Sequence, residues 1–381
     1  MKGSVRKKGN AWYYRLDLAY KEGKRSQVER YGGKTKQEAL DKMRSAIDEY
    51  QTAGSLVGNS NISVYDYFEY WYDNYVMINL KLNTQLNYRG ILDNHIYPYI
   101  KDYKLASIKT TTIQELLNKE FEKGYAKKTL DIVKGVLNKA FSMAVHPYEK
   151  IKINPTTHAK VPRYDTRDWR TREDLKIISM EDFRNLVSVV PKGDTFYMPM
   201  MIAFQTGLRR AEVCGLQWKD IDFDAKTLTV ERIMISHQNS YVIGTPKSQS
   251  SFRTFEIGDS LIELLRKHRI RQSENRLFYG RHYFDSDFIC VKENGKPTTP
   301  NSIKWSLRKF RDLSGIDFNF HSFRHTYATM LLENGAKPKE IQHRLGHSRL
   351  STTMDTYVHV TRKMQQESVN IFENLMKQSY M

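Results

Sequence analysis

His321-Ser322-Phe323-Arg324-His325-Thr326, followed by Leu345-Gly346-His347-Ser348, is the stretch that decides how this chain is read. From Ser322 to Glu333 the apolar residues recur at helical spacing. His321 and Arg324 are three apart, so on a helix they share a face. A short helix is expected over Pro338 to Leu345, and another across Tyr357, ten residues past His347. More than a hundred residues upstream, Thr206-Gly207-Leu208-Arg209-Arg210-Ala211-Glu212 lies between two apolar stretches. Between them, in Thr245-Pro246-Lys247-Ser248, Lys247 falls in the turn between two expected strands.

This set of side chains suits one reaction. An arginine fork grips two phosphate oxygens at once. Two arginines converging on one phosphodiester would stabilise the added charge of a five-coordinate transition state without a metal. A tyrosine hydroxyl is a poor nucleophile near neutrality, its reference pKa being about 10. Guanidinium neighbours favour the phenolate, and a neighbouring histidine helps remove the proton. The departing deoxyribose 5′ oxygen needs a proton, which a hairpin lysine can give. The set therefore contains a nucleophile, a base, charge clamps and an acid.

The order Thr-Gly-Leu-Arg-x-x-Glu, hairpin Lys, His-x-x-Arg, Leu-Gly-His, Tyr resembles the tyrosine recombinases, the lambda-integrase family. Each motif alone is weak; their combination is highly specific. The resemblance implies that Arg209 and Arg324 are the catalytic arginines, Lys247 the hairpin lysine, His321 and His347 the two histidines, Tyr357 the nucleophile and Glu212 a supporting carboxylate. It also implies double-stranded DNA as partner, a 3′-phosphotyrosyl intermediate, a homo-tetramer clamped around two sites, and integration and excision of a conjugative transposon or temperate phage. An accessory excision or DNA-bending protein would fit the same picture.

Outward from this region, the fold expected is multidomain α+β. A small N-terminal three-stranded sheet plus helix occupies residues 1–56. Alternate apolar residues from Trp12 to Tyr20 read as one strand, Arg25 to Tyr31 as another, and Gly23 marks a turn. Gly32-Gly33 breaks the chain, and Thr35 with Glu38 signals a capping box. Arg15, Lys24, Arg25 and Arg30 decorate the sheet and are candidate DNA contacts; by resemblance this is an arm-type DNA-binding domain. Gly54 to Asn61 is a polar linker. Residues 62–160 read as helical and resemble the core-binding domain, although Tyr97-Pro98-Tyr99-Ile100-Lys101 lacks the glycine often found after that turn. From Thr157 to Arg172 the chain is basic and reads as an exposed linker in which Lys160 and Arg163 could lie along DNA. Residues 174–381 form the mixed, mainly α catalytic domain. Ser179 caps a helix from Met180. Strands are expected over Leu228–Val230, Tyr241–Ile243 and Arg253–Ile257, and helices over Leu261–Lys267 and Ser302–Leu313. Arg253 reads as a phosphate contact. Val369, Phe372 and Leu375 stripe a C-terminal exchange helix that the family docks onto a neighbouring protomer.

Composition agrees with a nucleic-acid partner. Lys and Arg outnumber Asp and Glu 61 to 43, giving a formal charge of +18. No apolar run suggests a membrane span or a secretory leader, and two cysteines supply neither a disulfide framework nor a zinc cluster, so a reducing cytoplasm is expected. His321 with His325, and His343 with His347, have the four-residue spacing of a metal pair, but neither carries the adjacent glutamate of a zinc hydrolase, and Gly346 interrupts the second. No metal and no cofactor are therefore expected, and no phosphate-binding loop for ATP is found. Tyr357 is one of 24 tyrosines and rests on its distance from His347; Lys226 is a second lysine beside a strand. The competing readings are a type IB topoisomerase-like enzyme, which shares the chemistry, and a catalytically inactive DNA-binding regulator.

Overall fold

The computed structural model describes residues 3–17, 27–53, 62–164, 176–238, 240–246 and 248–356. The chain divides into two compact units, residues 1–169 and 170–381. Lys24, Arg25, Lys247, Tyr357 and the C-terminal stripe lie outside the described residues.

The first unit opens with an antiparallel sheet of β1 (Gly3–Lys8), β2 (Ala11–Asp17) and β3 (Gln27–Gly33), in that order. Its strand period sends Tyr14 and Leu16 inward, against Ala46 and Met43 of helix α1 (Lys36–Ala53). The Thr35 hydroxyl accepts from the Glu38 N–H at 3.2 Å, as a helix cap does, while Glu38 turns back to the Lys34 N–H rather than to Thr35. Gly32 and Gly33 do not break the chain; they complete β3.

Register separates the basic residues of this sheet. Arg15 pairs across from Glu29, on the face opposite α1, and bonds to it at 3.2 Å. Arg6 and Lys8 close on the same carboxylate. Lys8, then Arg15 and Arg6, hold Glu29 down at about 2. Arg30 instead pairs across from Tyr14, which places it on the α1 side of the sheet.

Among the described residues, the rest of this unit as far as Val145 is mainly helical, as its apolar spacing predicts. Helix α2 (Val64–Trp71) is capped by Ser63 and runs through a π-helical turn, Tyr72–Val76. Helix α3 (Leu82–Ile91) continues through a second π turn, Leu92–Ile96, into Tyr97–Ile100, so the segment expected as a turn is helical. Then come α4 (Thr110–Glu122) and α5 (Lys127–Val145). Trp71, Phe68 and Phe141 are fully buried between them, and the Tyr67 hydroxyl donates to Ala140 O at 2.8 Å. The first half of the expected linker is fastened to this bundle. Gln114 exchanges two hydrogen bonds with the Lys160 backbone, Tyr164 donates to Tyr125 O, and Ala159 is buried.

The second unit packs helices around small sheets. It contains α6 (Met180–Val189), α7 (Tyr197–Thr206) and α8 (Arg210–Gly215). Next come β4 (Ile221–Asp222), β5 (Thr227–Val230), β6 (Ile233–His237), β7 (Ser240–Gly244) and β8 (Arg253–Glu256). Helices α9 (Asp259–Tyr279), α10 (Pro300–Ser314), α11 (Phe320–Glu333), α12 (Pro338–Leu345) and α13 (Leu350–Thr356) follow among the described residues. One sheet has the order β4-β5-β8; β6 and β7 form a hairpin. Phe196, Phe310, Phe318 and Phe323 anchor the core, and α11 lies against α7. That packing brings the Thr206–Glu212 segment to the His321–Thr326 segment.

Candidate active site

Helix α7 ends at Thr206, and Gly207 takes the left-handed conformation, φ 67°. A Cβ there would stand 2.7 Å from the Tyr327 ring and 2.8 Å from Leu345. The chain thus turns tightly against α11 and α12 before Arg209 starts α8. Arg209 is itself the N-cap residue. Its N–H donates to Glu212 at 3.0 Å, and its guanidinium donates to the same carboxylate at 2.8 Å.

Glu212 is buried and serves two arginines. Arg253 donates to it at 3.0 Å, with its own side chain fully enclosed. Burial works to raise the Glu212 pKa; the charges of Arg253 and Arg209 overcome it and hold the carboxyl below its ordinary value. Arg253, expected as a phosphate contact, spends its donors inside the protein, on Arg344 O, Ser251 O and Glu212. The reason is the period of β8: Arg253 and Phe255 point inward, Thr254 and Glu256 outward.

Three arginines meet the end of α12. The last carbonyls of a helix lack intrahelical partners and carry the negative end of its dipole. Arg253 Nε donates to Arg344 O at 2.6 Å, Arg324 to Leu345 O at 2.7 Å, and Arg209 to Gly346 O at 3.3 Å. Arg324, only 1% exposed, also donates to Gly207 O at 3.0 Å. It therefore ties the turn before Arg209 to the turn before His347. Gly346, φ 64°, lets the chain leave the helix beside Arg253.

The histidines complete the cluster. His321 lies in the first turn of α11, exposed to solvent, its ring edge-on to His325 with centroids 4.6 Å apart. Lost solvation, then His325, Arg324 and Arg209, push His321 down to about 4. Lost solvation and Arg324 put His325 at about 4. His347 falls to about 3, through lost solvation first and then Arg324, Arg209, His321 and Arg253. Its Nδ1 shares a 2.8 Å hydrogen bond with Thr353 Oγ1, leaving Nε2 as the other functional nitrogen. Thr353, buried on α13, is a site residue that sequence reading missed; its sole signal was its place between His347 and Tyr357.

Arg209, Glu212, His321, Arg324 and His347 are thus assembled from three separate stretches. An anion placed among these guanidiniums and neutral imidazoles would meet positive charge already oriented by carbonyls and Glu212. Lys226, the second lysine beside a strand, turns to Asp259 at 2.6 Å. Among the described residues no group of three His, Cys, Asp or Glu side chains is placed to hold a metal ion, and no helix is long and apolar enough to cross a membrane.

Known proteins are similar to this chain in sequence and fold. Residues 180–364 match the phage integrase family, residues 63–121 the N-terminal SAM-like domain of phage integrases, and residues 4–50 an arm DNA-binding domain. A XerC-like tyrosine recombinase of Caldanaerobacter subterraneus subsp. tengcongensis is 30% identical, over 95% of this chain and 96% of the relative. The ICEBs1 integrase of Bacillus subtilis is 29% identical, over 78% of this chain and 80% of its own length. In fold, the chain is similar to the Tn1549 transposon integrase solved with a circular intermediate DNA, with a TM-score of 0.63 and 22% identity, covering 80% of this chain and 99% of that one. The chain belongs to the phage integrase family: it is a tyrosine recombinase of the mobile-element type, an enzyme that breaks and rejoins DNA by site-specific strand exchange.

Proposed function

We propose that the chain integrates and excises its mobile element through a covalent bond between Tyr357 and DNA. The observation that carries this reading is the convergence of Arg209, Arg324, His321 and His347 around one end of α12. Arg209 and Arg324 hold the nonbridging oxygens of the scissile phosphate and stabilise the charge of the transition state. The Tyr357 oxygen attacks phosphorus and loses its proton to a neutral histidine. The bond to the 5′ oxygen breaks, and Lys247 protonates that oxygen. One phosphoester replaces another, so rejoining needs only a 5′ hydroxyl from the partner strand. Glu212 and Arg253 position the clamps. Residues 62–160 hold the core site and residues 1–56 an arm site. Four copies assemble on the DNA, joined through the tail beyond Met364, and an accessory excision or DNA-bending protein fits the same assembly. The work takes place in the cytoplasm.

The test is a nicked duplex carrying the element's own end, incubated with the wild type and with Tyr357→Phe. On a denaturing gel the wild type forms a protein–DNA adduct and the variant forms none, while both bind the duplex equally. An undiminished adduct in the variant would place the nucleophile elsewhere.

A further inference from the structure

His347 is set from two sides. Its backbone belongs to the end of α12: the His347 N–H donates to Gln342 O at 3.1 Å, and Gln342 Nε2 donates to His347 O at 3.1 Å. Its imidazole belongs to α13, through the 2.8 Å hydrogen bond between Nδ1 and Thr353 Oγ1. Thr353 is fully buried, and among the described residues that nitrogen is the partner of its hydroxyl. Two arrangements of protons fit the distance. In one the imidazole donates and the hydroxyl accepts; in the other the hydroxyl donates.

Burial decides between them. A threonine hydroxyl carries one proton, and a buried donor without an acceptor keeps its full desolvation cost. If Nδ1–H donated to Oγ1, the hydroxyl proton would have no acceptor among the described residues. The hydroxyl therefore donates, and Nδ1 accepts. The ring as a whole is neutral, because lost solvation first, and then Arg324, Arg209, His321 and Arg253, oppose a second proton. A neutral imidazole has one N–H, which then sits on Nε2.

We infer that Thr353 is a positioning residue: its buried hydroxyl holds His347 as the Nε2–H tautomer, so that the ring meets the scissile phosphate as a hydrogen-bond donor and not as a base. This rests on the reading of the arginine and histidine cluster as the phosphate site. The proton that leaves Tyr357 then goes to His321, and His347 keeps its own. Thr353 stands four residues before Tyr357 in the sequence, so the element that leads to the nucleophile also sets the histidine.

The experiment uses the full chain, with nitrogen-15 in its histidines, near neutral pH. Correlations from the ring nitrogens to the carbon-bound ring protons report which nitrogen holds the proton, and a His347→Gln spectrum identifies the His347 signals. The wild type should show His347 protonated at Nε2. Protonation at Nδ1 overturns the inference and leaves the phosphate site as proposed. This measurement needs no change at Thr353, so it decides even where a variant unfolds. Thr353→Val removes the hydroxyl at nearly constant volume and should give a mixture of tautomers, while Thr353→Ser keeps Nε2–H. On the nicked element-end duplex, Thr353→Val should form adduct at least about tenfold more slowly with unchanged duplex binding, and Thr353→Ser should form it near the wild-type rate. The expected spectra with an undiminished adduct rate in Thr353→Val would remove His347 from the phosphate, and with it the positioning role of Thr353.

Discussion

At the scale of single residues, Arg253 shows what a sequence conceals. Its basic character suggested a phosphate, yet alternation with Phe255 already placed it on the inner face of its strand. A buried ion pair broken on one side leaves a charge without its partner, at a cost of about 3–5 kcal/mol. Arg253→Ala should lose stability short of that scale in chemical denaturation, because the enclosed Glu212 keeps Arg209 as a partner. Full stability with weakened DNA binding would instead restore the phosphate role. The histidines give a second expectation. His321, His325 and His347 are depressed to about 4, 4 and 3 in the folded chain, against about 6.5 when unfolded. As pH falls below 6.5 the unfolded chain takes up protons that the native one refuses, so the unfolded state gains. Stability is complete above about 6.5 and declines as pH falls towards 4 and 3. Melting curves should show the decline beginning above pH 5, ahead of the carboxylates; a flat profile there would mean the rings are solvated. That Arg209, Glu212, His321, Arg324 and His347 belong together was legible because the chemistry proposed for them needs particular residue types in a fixed order. Thr353 was not, because a hydroxyl partner for an imidazole has no motif of its own.

At the scale of elements, legibility followed apolar periodicity. Helices with a clear inner face, such as α11 and α12, read nearly to their ends. Helix α9 did not: only Leu261 to Lys267 was expected, but it extends to Tyr279, and its second half is largely polar and exposed. The two-residue β4 and the strand β6 escaped notice, one too short to show a period and the other adjoining β5 with little to separate them. The end of α12 is the element that matters most. Gly346→Ala would force a side chain into the left-handed region, costing about 1–3 kcal/mol, and would bring its Cβ to 3.0 Å from Arg253 and from Ser250 O. We expect adduct formation to fall at least tenfold while the helical bundle keeps its melting behaviour. Unchanged adduct formation would show that the turn can relax without moving His347.

At the scale of the whole molecule, the sheet and α1 have an apolar core separate from that of the helical bundle, and none of the catalytic candidates lies there. Deleting residues 1–60 should preserve adduct formation on an isolated core site and abolish efficient integration at a full attachment site. In footprints, protection outside the core should vanish with the deletion. Protection that persists would move arm recognition to another part of the chain. Arg6 and Lys8 belong with Arg15 on the solvent-facing side of that sheet, and Glu29 is the counter-charge that DNA phosphates would replace. The three arginines that share the last carbonyls of α12 have a consequence for genetics. Each steadies the same helix end, so loss of one slackens the attachment of the other two. Their substitutions should be epistatic: a second arginine removed after the first costs less than it does alone. A suppressor of any one of them is then to be sought in the α12 turn, not at its own position.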